Sequence, residues 1–136
     1  MIPELKKDFF PRLKNYHRLE ETVHFIVQDR FHFLAQNAEL IKILVQECLV
    51  NTELREALLV NIQMSILTDF TDYWQLLKSK NPQINSNLSG MDVIRTNAGL
   101  LFAYFAQRFI LNIPTLSQAD DLILIEKQIL SLLTLK

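Results

Sequence analysis

Glycine is nearly absent from this chain. Gly90 and Gly99 are its only two glycines in 136 residues, and only four residues are proline, so tight turns and backbone positions at positive φ must be few. A β-sandwich or barrel, which needs such turns after every strand, is nearly excluded. The chain holds 24 Leu against 6 Val, and γ-branched side chains keep their rotamer freedom in helices where β-branched ones lose it. The expectation is an all-α fold, an antiparallel bundle of five or six helices. The length suits one domain spanning residues 1–136, which buries roughly two-thirds of the surface exposed by the unfolded chain.

Fourteen basic and 15 acidic side chains leave a formal net charge of −1, without the positive field that gathers phosphates. No nucleic-acid binding is expected from these residues. Cys48 is the sole cysteine, so neither an intrachain disulfide nor a thiolate-rich zinc site can form. Met1–Lys14 is charged throughout and lacks the apolar stretch of a signal peptide. The uncharged runs Thr96–Gln107 and Phe109–Ala119 fall well short of the ~20 residues a membrane span needs. A soluble, cytoplasmic protein with no membrane partner is expected.

Turn signals divide the chain into helices. Pro3–Lys14 reads as a partial helix interrupted by Pro11. His17–Gln36 is amphipathic, with Leu19, Val23, Ile26, Val27, Phe33 and Leu34 on one arc. Asn37 is placed to cap a helix reaching Leu49, and Asn51 to cap a long one reaching Lys80. In the latter, Leu59, Ile62, Ile66, Phe70, Tyr73 and Leu77 define the buried face. The polar stretch Asn81–Gly90 is the longest loop. Ser89-x-x-Asp92 and Ser117-x-x-Asp120 are capping boxes with Asp in place of Glu, opening helices Gly90–Asn112 and Gln118–Leu135.

Charge is distributed unevenly: residues 1–80 carry 21 of the 29 charged side chains, and 81–136 carry 8. Apolar residues cover about two-thirds of the circumference of the last helix, more than the single buried stripe of an ordinary surface helix. The helix before it presents Gly99, Ala103 and Ala106 with Phe102, Phe109 and Ile110, a face on which small residues permit close backbone approach. Together with Leu122, Ile125, Ile129 and Leu133, these residues are expected to form an isologous four-helix seam between two copies of the chain.

Candidate sites are fewer. His17, Glu21 and His24 have a spacing compatible with a divalent metal, but a solvated polar face running on to Gln28 and His32 explains the same residues and no second partner is visible, so no metal or cofactor is expected. Arg30 and Glu47 sit on apolar arcs and are expected to pair as a buried ion pair, with contact between Arg30 and a ligand carboxylate as the alternative. Arg30, Gln63, Phe70, Trp74, Asn97 and Tyr104, with Arg108 nearby, are candidates to line an amphipathic small-molecule pocket. No triad spacing, Gly-rich phosphate loop or Glu-x-x-His motif is present. An enzyme is not expected.

From about Arg18 to Ile113 the helix series resembles the C-terminal ligand-binding and dimerisation domain of TetR-family (AcrR-like) transcriptional regulators. The residues that carry the resemblance are Phe31-His-Phe-Leu-Ala-Gln-Asn37, Ala38-Glu-Leu-Ile-Lys-Ile-Leu-Val-Gln-Glu47, and Asn51-Thr-Glu-Leu-Arg opening a long helix, followed by a polar loop and two apolar helices. The resemblance implies a homodimer through the last two helices and a small hydrophobic or amphipathic effector held by the earlier ones. Effector binding would shift a two-state equilibrium away from the operator-binding conformation. A helix-turn-helix head would occupy about fifty residues ahead of Pro3, outside these 136, so operator DNA is expected to be bound only by a longer form. The alternative is a stand-alone helical adaptor that binds a partner protein through its apolar C-terminal helices.

Overall fold

The computed structural model describes residues 9–114 and 117–135, excluding the side chains of residue 10 and residues 62–69. The fold is an all-α bundle. Among the described residues the helices are α1 (Phe9–Leu13), α2 (Leu19–Gln36), α3 (Ala38–Val50), α4 (Thr52–Lys80), α5 (Gly90–Phe105, continued by a π-helical turn Ala106–Ile110) and α6 (Gln118–Thr134). Pro11 does not interrupt α1. It lies in the first turn, where the missing N–H has no intrahelical partner to lose.

The centre of the bundle is α2, packed on α5 and α6, with α1 and α3 at its two ends. Leu19, Thr22, Val23, Phe25, Ile26, Val27 and Phe31 are all buried, more than one arc of a helix supplies. The face expected from the sequence is therefore widened and rotated: Phe25 and Phe31 go inside, whereas Phe33 and Leu34 are only partly covered. Two aromatic groups occupy opposite ends of the helix. Phe25 stacks between Phe9 and Tyr16 at centroid distances of 5.6 and 5.0 Å, tying α1 down. Phe31 meets Tyr104 at 5.0 Å and Phe109 at 6.2 Å.

The N-terminus of α2 has no cap from its own neighbour Arg18. Asn81, 62 residues further along the chain, supplies it. Its Oδ1 accepts from Leu19 N–H at 3.0 Å, and its Nδ2 donates to the carbonyls of His17 at 2.7 Å and Leu77 at 2.9 Å. One buried side chain thus closes α4 and opens α2. Nearby, Tyr73 Oη donates to the Tyr16 carbonyl at 3.0 Å and lies 2.9 Å from the Thr22 hydroxyl. Burial raises the Tyr73 phenol above its ordinary value, and the Thr22 contact offsets part of that rise.

Three of the four expected caps appear. Asn51 Oδ1 accepts from Leu54 N–H at 3.1 Å. Ser89 and Asp92 form a complete capping box, with Ser89 N–H donating to Asp92 Oδ2 at 2.9 Å and Asp92 N–H donating to Ser89 Oγ at 3.2 Å. Ser117 Oγ accepts from Asp120 N–H at 3.2 Å and donates to Asp120 Oδ2 at 2.9 Å. The exception is Asn37, which is the lone residue between α2 and α3. Its Nδ2 donates backwards to the Phe33 carbonyl at 2.9 Å, so it finishes α2 instead of capping α3. The end of α5 also differs from the expected Asn112 terminus. Leu111 N–H bonds the Ala106 carbonyl five residues back, Ile113 N–H reaches Gln107 O, and Asn112 takes φ 52°, so a widened turn with a left-handed Asn stops the helix before Pro114.

Phe70, Tyr73, Trp74 and Leu77 of α4 are buried, as the helical spacing requires, but Leu59 is exposed. Ile62 and Ile66 lie outside the described side chains. The cause is topological: the first half of α4 pairs with α3, whose only buried residue is Ile41, in a hairpin at the edge of the bundle.

Asn81→Ala should lower stability by about 2–4 kcal/mol, since it strands one N–H and two carbonyls. A urea midpoint within error of wild type would contradict the trans-cap. The Ser89 N–H and hydroxyl hold the Asp92 carboxyl below its ordinary value, so its stabilisation is fully present above the unfolded-state pKa and is lost as pH falls through the lower folded value. The stability difference between wild type and Asp92→Asn should therefore shrink between pH 7 and about pH 3, followed by denaturant titration at each pH.

Candidate functional site

Five of the six residues expected to line a pocket have side chains among those described, Gln63 being the exception. Arg30 lies beside Asp29, with its Nε and Nη2 donating to Asp29 Oδ2 at 3.0 and 2.6 Å. Its guanidinium stacks over Phe9 at 4.1 Å and Phe33 at 5.3 Å. The expected Arg30–Glu47 ion pair is not formed. Glu47 points to solvent from the α3 hairpin, and the local carboxylate of Asp29, shared with Arg12 at 3.1 Å, takes its place.

Phe70 and Trp74 are core residues in parallel contact, 6.3 Å between ring centroids. Trp74 is fully buried, and its indole N–H donates to the Leu88 carbonyl at 3.1 Å, where Lys78 Nζ also binds. Gly90 lies against both rings, so the Asn81–Ser89 loop is fastened to this pair. The same loop holds the C-terminus of α6, since Asn85 donates from its backbone to Leu133 O at 2.9 Å and from its side chain to Leu135 O at 2.8 Å. A shallow surface hollow lined by Pro82, Ile84, Asn85, Ser86 and Asn87 includes none of the expected pocket residues.

Tyr104 joins α5 to α6. Its hydroxyl donates to Asp121 Oδ2 at 2.6 Å and accepts from Arg108 Nη1 at 3.1 Å, with Arg108 4.0 Å from Asp121. Asn97 is buried one helical turn from Val93, whose carbonyl takes its Nδ2 at 2.9 Å. That bond fixes the orientation of the amide and leaves Oδ1 buried without a partner among the described residues, a costly state that a bound donor would relieve. The Gln63 side chain lies outside the described residues. Among the expected pocket residues with described side chains, Asn97 Oδ1 is the buried polar atom without a hydrogen-bond partner.

The polar stripe on α2 proved more than a solvated face. Glu126 of α6 is buried, and its carboxylate meets His24 Nδ1 at 2.5 Å and Gln28 Nε2 at 3.3 Å. Sequence reading missed Glu126 because it sits among apolar residues of the last helix with no charged neighbour one turn away; the pair spans 102 positions. His17, Glu21 and His32 remain exposed. Among the described residues no three His, Cys, Asp or Glu side chains converge as a metal site would require.

The expected dimer seam divides into two sets. Leu122, Ile125, Ile129 and Leu133 are buried within the chain's own core, where α6 packs chiefly on α2. Their contacts are used inside one copy. The α5 set remains outside: Gly99, Phe102, Ala103 and Ile110 are exposed, Ala106 and Phe109 half-buried, and space is open beside Gly99. On α6 the outward apolar residues are Ile123, Leu124 and Leu132. The apolar surplus of the last two helices is thus real, but on α6 it lies on the arc opposite to the one expected.

Among the described residues no helix is long and apolar enough to cross a membrane. The His24–Glu126 contact is tested by a double-mutant cycle. His24→Ala should cost about 1.5–3 kcal/mol in the presence of the buried carboxylate, and clearly less in a Glu126→Gln background. Equal costs in both backgrounds would show that the two groups are not coupled. No family model, no curated protein and no solved structure matches this chain.

Proposed function

We propose that this chain is the homodimerising, effector-responsive body of a TetR-like transcriptional regulator, and not an enzyme. The observation that carries the reading is the outward apolar face of the last two helices. Gly99, Phe102, Ala103 and Ile110 on α5, with Ile123, Leu124 and Leu132 on α6, face solvent in a single copy, and a second copy related by a two-fold axis would cover them as a four-helix interface. Arg95, Asp120 and Lys127, exposed on the same two helices, carry charges of both signs, and Gln107 is exposed and neutral. Such a mixture is compatible with self-association.

In this reading the effector is a small, mostly apolar molecule with a hydrogen-bond donor for Asn97 Oδ1. DNA binding would belong to a head outside these residues. The supporting features are the order of the helices, the placement of the small-residue face on α5, and the orphan acceptor in the core. A second reading, the adaptor that binds a partner protein through α5 and α6, is favoured by one finding: Phe70, Trp74 and Tyr104 are engaged by the chain's own packing.

Gly99→Leu separates assembly from folding. Space beside Gly99 is open within one copy, so the variant should unfold at the wild-type temperature or above it once monomeric, while its overpacked seam weakens dimerisation at least about tenfold. Sedimentation equilibrium at micromolar concentration reads the difference. A wild-type chain that is monomeric there supports the adaptor; a Gly99→Leu chain as tightly dimeric as wild type places the seam elsewhere.

A further inference from the structure

We propose that the free end of the α3–α4 hairpin is a docking surface for a basic amphipathic helix of a partner protein. This inference is independent of how α5 and α6 associate.

The hairpin exposes apolar side chains where a peripheral element should be polar. Leu49 is 75% and Val50 82% exposed, and Leu40, Ile43, Leu59 and Val60 are also exposed. Leu40, Ile43, Glu47 and Val50 follow spacings of three, four and three, so they form one stripe along α3. Among the described residues nothing covers that stripe: Leu40, Ile43, Glu47 and Val50 are all exposed, and α3 faces the bundle with Ile41. A patch of this kind on a folded chain marks an interaction site.

Charge decides the occupant. Glu47 interrupts the apolar stripe, and Glu53 and Glu56 follow at the start of α4, all three exposed and without an ion pair among the described residues. Lys42 and Arg55 stand against four glutamates, Glu39, Glu47, Glu53 and Glu56, so the tip stays net acidic. Lys42 bridges Glu39 at 3.2 Å, and the Arg55 guanidinium donates to the Cys48 carbonyl at 3.1 Å and the Thr52 hydroxyl at 3.4 Å. A second copy placed on this surface would bring like carboxylates together, which disfavours self-association. A helix with an apolar stripe flanked by Lys or Arg covers Leu40, Ile43 and Val50 and neutralises the glutamates at once. The acidity is local: the whole chain is close to neutral, so non-specific attraction of cations is weak elsewhere.

The test uses two fluorescein-labelled peptides of about 18 residues, five helical turns, with the same leucine stripe and either lysine or glutamate on the polar face. Anisotropy titration of the full chain should show saturable binding of the Leu/Lys peptide, weakened by added salt, and none of the Leu/Glu peptide. The paired substitutions Ile43→Asp and Val50→Asp affect exposed positions and should weaken binding at least about tenfold with unchanged helicity. Reversing Glu47, Glu53 and Glu56 to Lys should switch the preference to the Leu/Glu peptide. The proposal is overturned if neither peptide binds, if the Leu/Lys peptide binds both sets of variants as well as wild type, or if Ile43→Asp with Val50→Asp dissociates a wild-type dimer, which would make a second copy the occupant.

Discussion

The arrangement of the bundle depends on one buried amide. Asn81 accepts from the first turn of α2 and donates to the ends of both flanking backbone segments, so the end of α4 and the start of α2 share a single satisfied group. Without it, α2 would begin at Arg18 with the buried Leu19 N–H unpaired. Because α2 is the helix on which α5 and α6 pack, the register set by Asn81 carries through to the arcs those helices turn outward. Glu126 fixes the other side of the same contact through His24 and Gln28, and Tyr104 with Asp121 holds α5 against α6.

Two apolar surfaces remain after this packing, and their charge distinguishes them. The α5–α6 face combines small side chains with aromatics, on helices whose exposed charges are of mixed sign, which permits two identical copies to approach closely. The α3–α4 tip combines larger aliphatic side chains with three glutamates that form no ion pair among the described residues, which opposes identical copies and favours a basic partner. A chain carrying both would join itself through one surface and a different molecule through the other, as a regulator or an adaptor must.

The parts of the fold legible in the sequence were those fixed by short spacing. The scarcity of glycine, the caps at Asn51, Ser89 and Ser117, and the boundaries of α4 and α6 all follow from residues within four positions of one another. Long-range partners left no local signal. Asn81 stands in a polar loop, Glu126 has no charged residue one turn away on α6, and Arg30 pairs with the adjacent Asp29 and not with the distant Glu47. The outward arc of α6 differs from the expected one for a related reason: on a helix apolar over most of its circumference, periodicity does not show which side faces the core. For the candidate site, residue type identified Asn97 as polar and inward, but only packing showed that Trp74 and Tyr104 have satisfied partners and Asn97 Oδ1 has none among the described residues.

The central claim, that the outward face of α5 meets its counterpart in a second copy, is measured most directly by pulsed dipolar spectroscopy. A nitroxide placed at the exposed residue Gln107 through Gln107→Cys, in a Cys48→Ser background, reports on that face alone. A two-fold dimer joined there predicts one narrow distribution of short distances between labels. An absence of dipolar modulation at concentrations where the chain is folded, or a long distance with the labels on opposite sides of a dimer, would contradict it.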